Sequence, residues 1–302
     1  MNSVNRSESS YWFFAQPQLM VWVLLTYSIG IGLVHFVGGD LDWPTILMGG
    51  LLGPLILAAR NFLLAYFDHP KSPTCGLHPD DPRYERLGLL ERQTLLVIAL
   101  TILTAGALVT VLLIFRQALN LAALLILGIA LMLAFFSAVP PVQLERRGYG
   151  EIAEAIIVAN LVPAIGFLIL ETELQTLLIM LTLPLTFLYL SLRIVLSLES
   201  YAFDRTHRVQ TLVLRLDWQN AMTAHNYFIL LAFLCVGIFA LFGQPWSLTW
   251  PMLLPLLIGV WQIFQIIGIM AGKPPRWKIL KLTAMGSFVV MAYLVSFSLW
   301  IS

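Results

Sequence analysis

Nine runs of apolar residues divide this 302-residue chain. They lie at about Leu19–Val37, Trp43–Phe67, Gln93–Phe115, Leu119–Phe136, Ile152–Leu170, Leu174–Leu198, Ala221–Phe242, Met252–Met270 and Leu280–Ile301. A bilayer core is crossed by roughly 20 apolar residues in a helix, so each run is a candidate span. Strands are not credible spanning elements, because the runs are too long and lack alternation. Composition agrees: 59% of residues are hydrophobic and 11% are charged, against about 25% charged in soluble chains. The expectation is an all-α integral membrane protein with nine transmembrane helices.

Charge gives the expected orientation. Lys and Arg concentrate in cytoplasmic loops. With the N-terminus inside, sixteen of the seventeen Lys and Arg residues fall on the cytoplasmic side, and Arg116 is the exception. Asp40, Asp42, Glu171 and Glu173 fall opposite. The expected arrangement is a cytoplasmic N-terminal segment, residues 1–18, and a single transmembrane domain, residues 19–302. Its cytoplasmic loops are 68–92, 137–151, 199–220 and 271–279, and its C-terminus is external. Trp43, Trp246 and Trp250 suit an aromatic belt at the outer ends. The first residues lack the pattern of a cleaved signal peptide. A net charge of +1 points to no nucleic acid partner. Cys75 and Cys235 form neither a disulfide pattern nor a metal motif.

Two stretches carry the polar chemistry, Arg60 to Arg92 and Arg193 to Arg215. In both, an Arg lies inside an apolar run, and an aromatic-rich Phe-Asp closes it, at Phe67-Asp68 and Phe203-Asp204. Ionisable groups inside a bilayer cost several kcal/mol, about 2.5–3.5 on insertion scales. Arg60 and Arg193 therefore either extend to the headgroups or face a polar cavity and hold an anion. Asn61 and Asp68, seven apart, share a helical face. Glu199 and Asp204 could reach a common cavity. Glu151 and Glu154 open the fifth run, where acids complement the helix dipole. Asn160, His225, Asn226, Gln262 and Gln265 read mostly as interhelical hydrogen-bonding groups. Asp80 and Asp81 lie in the first polar loop, where they are either a solvated face or metal ligands. Mg²⁺ takes oxygen ligands and bridges one or two carboxylates to substrate phosphates. Lys71, Arg205 and Arg208 suit diphosphate oxygens. The residues thus describe a cytoplasm-facing site for an anionic, metal-bound headgroup.

Three local patterns resemble a known family. Tyr66-Phe67-Asp68-His69 is similar to the end of an Asn-Asp-Tyr-Phe-Asp motif. Ser137-Ala138-Val139-Pro140-Pro141, Leu144 and Arg147-Gly148-Tyr149-Gly150-Glu151 resemble an S-A-P-P…L…R-G-x-G-E loop. Asp204-Arg205, Thr211-Leu212 and Arg215-Leu216 resemble an E-D-R-x-x-G-K-R-T-L-x-V-R-L motif. The chain in this way resembles the UbiA superfamily of intramembrane prenyltransferases, most of all its menaquinone-type branch. The resemblance implies nine helices bundled around a central cavity open to the cytoplasmic face, in a multi-pass protein of the cell (inner) membrane. It implies transfer of a polyprenyl group from its diphosphate to an aromatic, quinone-precursor-like acceptor, with Mg²⁺ as cofactor and the bilayer as surroundings.

Carried onto this sequence, the resemblance implies catalytic and metal-binding Asp68 and Asp204, helped by Glu199. It implies diphosphate contacts from Lys71, Arg205, Arg208, Arg60 and Arg193, and cavity polar groups Asn61, Glu154 and Asn160. The acids of the family motifs are partly replaced. Leu64, Ala65 and Ser72 stand at three places of the first motif, and Ser200 stands four before Asp204. Asp80, Asp81 and Glu199 are the acids that could substitute. The same scaffold therefore also admits a catalytically degenerate isoprenoid-binding or partner protein. A transporter is the third reading, but paired Gly/Pro interruptions in corresponding helices are missing.

Overall fold

The computed structural model describes residues 10–75, 77–207, 209–242 and 245–301. Among these the chain is helical, with no strand, and nine helices are long and apolar enough to cross a membrane. They are Ser10–Phe36, Trp43–Phe67, Arg92–Phe115, Leu121–Ala138, Gly150–Leu168, Thr176–Leu198, Trp218–Leu241, Trp246–Met270 and Trp277–Ile301. They are called the first to ninth spans below.

Three spans depart from the simple apolar runs, each for a local reason. The first span begins inside the stretch read as an N-terminal segment. Phe14 is buried in a cluster with Phe62, Leu63 and Leu95, with Tyr11 packed against it. Gln16 interrupts this span in a left-handed conformation (φ 49°), and Pro17 starts the helix again. Proline suits that first position because its missing N–H would be unsatisfied there anyway. The fifth span contains a π-helical turn, Ile157–Leu161, just before Pro163. Pro163 offers no N–H to the carbonyl four residues back, and a π-bulge accommodates the lost bond. The eighth span breaks at Leu254-Pro255 between helices Trp246–Leu253 and Leu256–Met270, for the same reason.

Burial sorts the spans. In the fifth, 83% of the most apolar window is buried, against 11% in the third. The fifth is therefore the central helix and the third a lipid-facing one. The first span packs against the fifth so closely that a Cβ on Gly30 would lie 2.1 Å from the Pro163 carbonyl oxygen. Beneath the polar end, Trp22, Tyr189 and Phe288 meet edge to face with ring centroids 5.0–6.1 Å apart. Phe115, Leu121, Leu241 and Leu257 point outward and are 74–87% exposed. A surface this apolar belongs in lipid.

The loops alternate between the two ends of the bundle, and long and short loops segregate between them. Short turns close one end. There Arg116 pairs with Asp42 at 2.8 Å, and the Asn120 side-chain amide donates to the Glu171 carbonyl at 2.8 Å. The opposite end holds every long polar loop among the described residues. These loops include helices Pro82–Gly88, Tyr201–His207 and Leu212–Leu216, and the 3-10 turn Leu144–Arg147.

Candidate functional site

A cavity of about 810 Å³ opens at the polar end. Its wall combines the loop after the second span (Asp68, Asp80, Asp81, Arg83), the turn before the fifth (Glu145, Arg146, Glu151), and the sixth span with its following loop (Arg193, Glu199, Ser200, Asp204). Asp68 and Asp204, which lie far apart in sequence, thus share one chamber.

Asp68 sits at the C-cap of the second span and is buried. Arg146 donates to its Oδ1 from Nε at 3.0 Å and from Nη2. Burial pushes the Asp68 carboxyl up from its ordinary pKa, and Arg146 opposes the shift. Asp204 is also buried and accepts from Ser200 Oγ at 2.8 Å. Its carboxyl is likewise pushed up by burial, against the Ser200 hydrogen bond. Among the described residues, Asp68 Oδ2 and Asp204 Oδ1 receive no donor.

Below the cavity lies a charged network. Arg60, 3% exposed, donates to Glu154 Oε2 at 2.7 Å and also contacts Glu145. Arg193 lies 3.4 Å from Glu154 Oε1, and Tyr189 donates to that same oxygen at 2.5 Å. Neither arginine extends to the headgroups; both turn inward to acids of the fifth span and the turn before it. Attraction between buried opposite charges offsets their desolvation cost only when their remaining hydrogen bonds are satisfied. Here most are, but Arg60 Nε, Arg193 Nε and Asn61 Nδ2 are buried without a partner among the described residues. Glu151 accepts from the Leu212 amide at 3.3 Å and from Ser197 Oγ at 3.5 Å, which ties the fifth span to the loop beyond the sixth.

The other expected site residues are placed as follows. Glu199 lines the cavity and pairs with Lys281 of the ninth span. Asp81 caps helix Pro82–Gly88 through the Arg83 amide at 2.8 Å, and both its oxygens accept from the Arg83 side chain. Asp80 lines the cavity beside His78 and His207. Lys71 and Arg205 are exposed and do not line the cavity. Asn160 donates to Thr186 Oγ1 at 2.7 Å, within the bundle. Arg208 lies outside the described residues.

Sequence reasoning passed over Glu145, Arg146, Arg83 and Tyr189. The signal for the first two was present. A short loop carrying Glu145, Arg146, Arg147 and Glu151 holds too many charges to face nothing.

The donor set fits a hard cation. Asp68 and Asp204 each keep a carboxylate oxygen without a donor among the described residues, and Glu151 and Glu199 line the same cavity. Mg²⁺ prefers one or two carboxylates completed by water and phosphate. Arg193, Arg83 and Arg146 supply positive charge in the same chamber.

No protein-family model matches the sequence, and no curated protein matches it. Solved structures do match in fold. A UbiA homolog from Archaeoglobus fulgidus bound to GPP and Mg²⁺ superposes with TM-score 0.67 at 16% identity, covering 97% of this chain and all of that one. A structure of digeranylgeranylglyceryl phosphate synthase gives TM-score 0.64 at 12% identity, with 98% of each chain covered. A UbiA homolog from Aeropyrum pernix K1 gives 0.57 at 14% identity, covering 92% of this chain and 96% of that one. Across nearly its whole length, this chain has the fold of the UbiA homologs.

Proposed function

We propose that the chain is a membrane prenyltransferase that takes a polyprenyl diphosphate and an aromatic, quinone-precursor-like acceptor. The observation that carries this reading is the shared cavity of Asp68 and Asp204, on a fold whose solved examples include one bound to GPP and Mg²⁺. The menaquinone-type branch, Mg²⁺ dependence and an inner-membrane location belong to the same proposal. So does the orientation, with the cavity and N-terminus cytoplasmic. It is supported by the fourteen basic residues at the cavity end among the described residues.

Asp68 and Asp204 would hold the Mg²⁺, with Glu199 and Glu151 within the same chamber. The bound ion would neutralise charge developing on the diphosphate leaving group. Arg193 presents its guanidinium to the diphosphate, and Glu154, Tyr189 and Arg60 fix its position from below. Arg83 and Arg146 add donors suited to phosphate oxygens. The C–O bond to the diphosphate breaks, and the allylic carbon bonds to an aromatic ring carbon. That carbon then loses its proton. The apolar helices below exclude water, which would otherwise capture the allylic cation.

A second reading has its own support. Ser72 and Ser200 stand where the family motifs carry acids, and Arg146 occupies one oxygen of Asp68. On that reading the chain binds the isoprenoid diphosphate and does not turn it over. Purified protein incubated with polyprenyl diphosphates and dihydroxynaphthoate or 4-hydroxybenzoate separates the two. Prenylated product with diphosphate release supports the enzyme. Saturable binding without product supports the binding protein. Product formation unchanged by Asp68→Asn with Asp204→Asn would remove both residues from the mechanism.

A further inference from the structure

Beside the cavity, whose lining includes Asp80, the side chains of His78, Asp80 and His207 each present a ligand atom, all within 4.8 Å of one another. His78 and Asp80 belong to the loop after the second span. His207 ends the short helix Tyr201–His207 after the sixth. We propose that these three side chains bind a transition-metal dication of the Zn²⁺ type, and that the ion clips the two loops together beside the cavity. The claim is independent of what the cavity itself binds.

Three observations support it. The first is spacing. Ligands at about 2.0–2.1 Å from a tetrahedral ion lie about 3.3 Å from each other. His78 Nδ1 lies 3.4 Å from Asp80 Oδ2, and His207 Nε2 lies 3.7 Å from the same oxygen. Two edges of the tetrahedron are therefore nearly formed. The second is tautomer. The other ring nitrogen of His207, Nδ1, is 2.9 Å from the Phe203 carbonyl oxygen. A carbonyl can only accept, so Nδ1 carries a proton, and Nε2, on the Asp80 side, is the ring nitrogen left to bind an ion. This second-layer hydrogen bond is the usual orienting device of a metal-bound histidine. The third is the His78 ring, whose Nδ1 accepts from the Asp80 amide at 3.3 Å. That nitrogen also bears a lone pair, and an ion would replace this long bond with a stronger one.

Two imidazoles and one carboxylate suit Zn²⁺ and its first-row neighbours, where an all-oxygen set suits Mg²⁺. Three protein ligands leave the fourth position to water. The rings of His78 and His207 lie 4.0 Å apart, and Phe203 packs 4.1 Å from the His207 ring.

The test uses purified full-length protein with any polyhistidine tag removed. Zn²⁺ is titrated in competition with a chromophoric chelator, in millimolar Mg²⁺. The expected result is one Zn²⁺ per chain, weakened at least about tenfold by His207→Gln, His78→Ala or Asp80→Asn. Co²⁺ should give the visible absorption of a tetrahedral site in the wild type alone. Trypsin cleavage at the exposed Lys71 and Arg205 should slow when Zn²⁺ is added. Absence of stoichiometric Zn²⁺, displacement by Mg²⁺, or binding retained in all three variants would overturn the site. Zn²⁺ binding without slower cleavage would overturn the clip.

Discussion

Glu154→Gln tests whether the buried charge network organises the polar end. The substitution keeps shape and volume but removes the charge. Glu154 faces Arg60 at 2.7 Å, Arg193 at 3.4 Å and the Tyr189 hydroxyl at 2.5 Å. After substitution Arg60 keeps Glu145, but Arg193 loses its only carboxylate within ion-pair distance among the described residues. Removing one partner of a buried pair costs ~3–5 kcal/mol. The surviving Glu145 contact and the opening of Arg193 to the cavity put the expected loss near the lower end, about 3 kcal/mol. That is about two powers of ten in the folding equilibrium. The assay is reversible unfolding in mixed detergent micelles, followed by tryptophan fluorescence. Tyr189→Phe alone should cost about 1.5–3 kcal/mol, as a hydrogen bond to a charged group. The pair should be non-additive by more than about 0.5 kcal/mol, since both act on one carboxylate. A loss below about 0.5 kcal/mol for Glu154→Gln, as for an ordinary surface substitution, would refute the reasoning.

Other outcomes follow from the same geometry. Gly148 has φ +69°, and a Cβ there would lie 2.9 Å from the Thr211 carbonyl. Gly148→Ala should therefore cost at least about 1–2 kcal/mol, read as a lower thermal midpoint in detergent. Burial raises the carboxyls of Asp68 and Asp204, so both stay protonated to higher pH than free carboxyls. Such groups contribute stability below the unfolded value of about 3.9, and lose it as pH rises through the folded value. Metal-dependent diphosphate binding needs the ionised form and runs the other way. Its acid limb, in binding measured against pH, should lie above about 4. Ser200→Asp adds an acid four residues before Asp204, and should strengthen Mg²⁺-dependent binding of geranyl diphosphate in an equilibrium dialysis assay. Unchanged or weaker binding would count against Asp204 as a ligand.

The spans were legible because lipid imposes length and apolarity together, and the number and approximate positions of the helices follow from that. The boundaries were less so. The stretch from Tyr11 to Phe14 joined the first helix because Phe14 is buried in one cluster with Phe62 and Leu63, with Tyr11 packed against it, a contact between distant segments that no local run reveals. The proline-driven breaks at Pro163 and Pro255 were visible as residues but not as geometry. At the site, Asp68 and Asp204 stood out as acids at the ends of apolar runs. Their environments did not, because the partners come from elsewhere in the chain. Arg146 reaches Asp68 across 78 positions and Arg60 reaches Glu154 across 94. The same holds beside the cavity, where His207 meets His78 and Asp80 only after the second and sixth spans have packed into one bundle.

The most direct test of the central claim is equilibrium binding of radiolabelled geranylgeranyl diphosphate to the purified protein, with and without Mg²⁺. Saturable binding that needs Mg²⁺ and disappears in Asp68→Asn with Asp204→Asn is the result expected of a cavity built around these two acids. Binding that is absent, or that is the same in the double variant and without the ion, would contradict it.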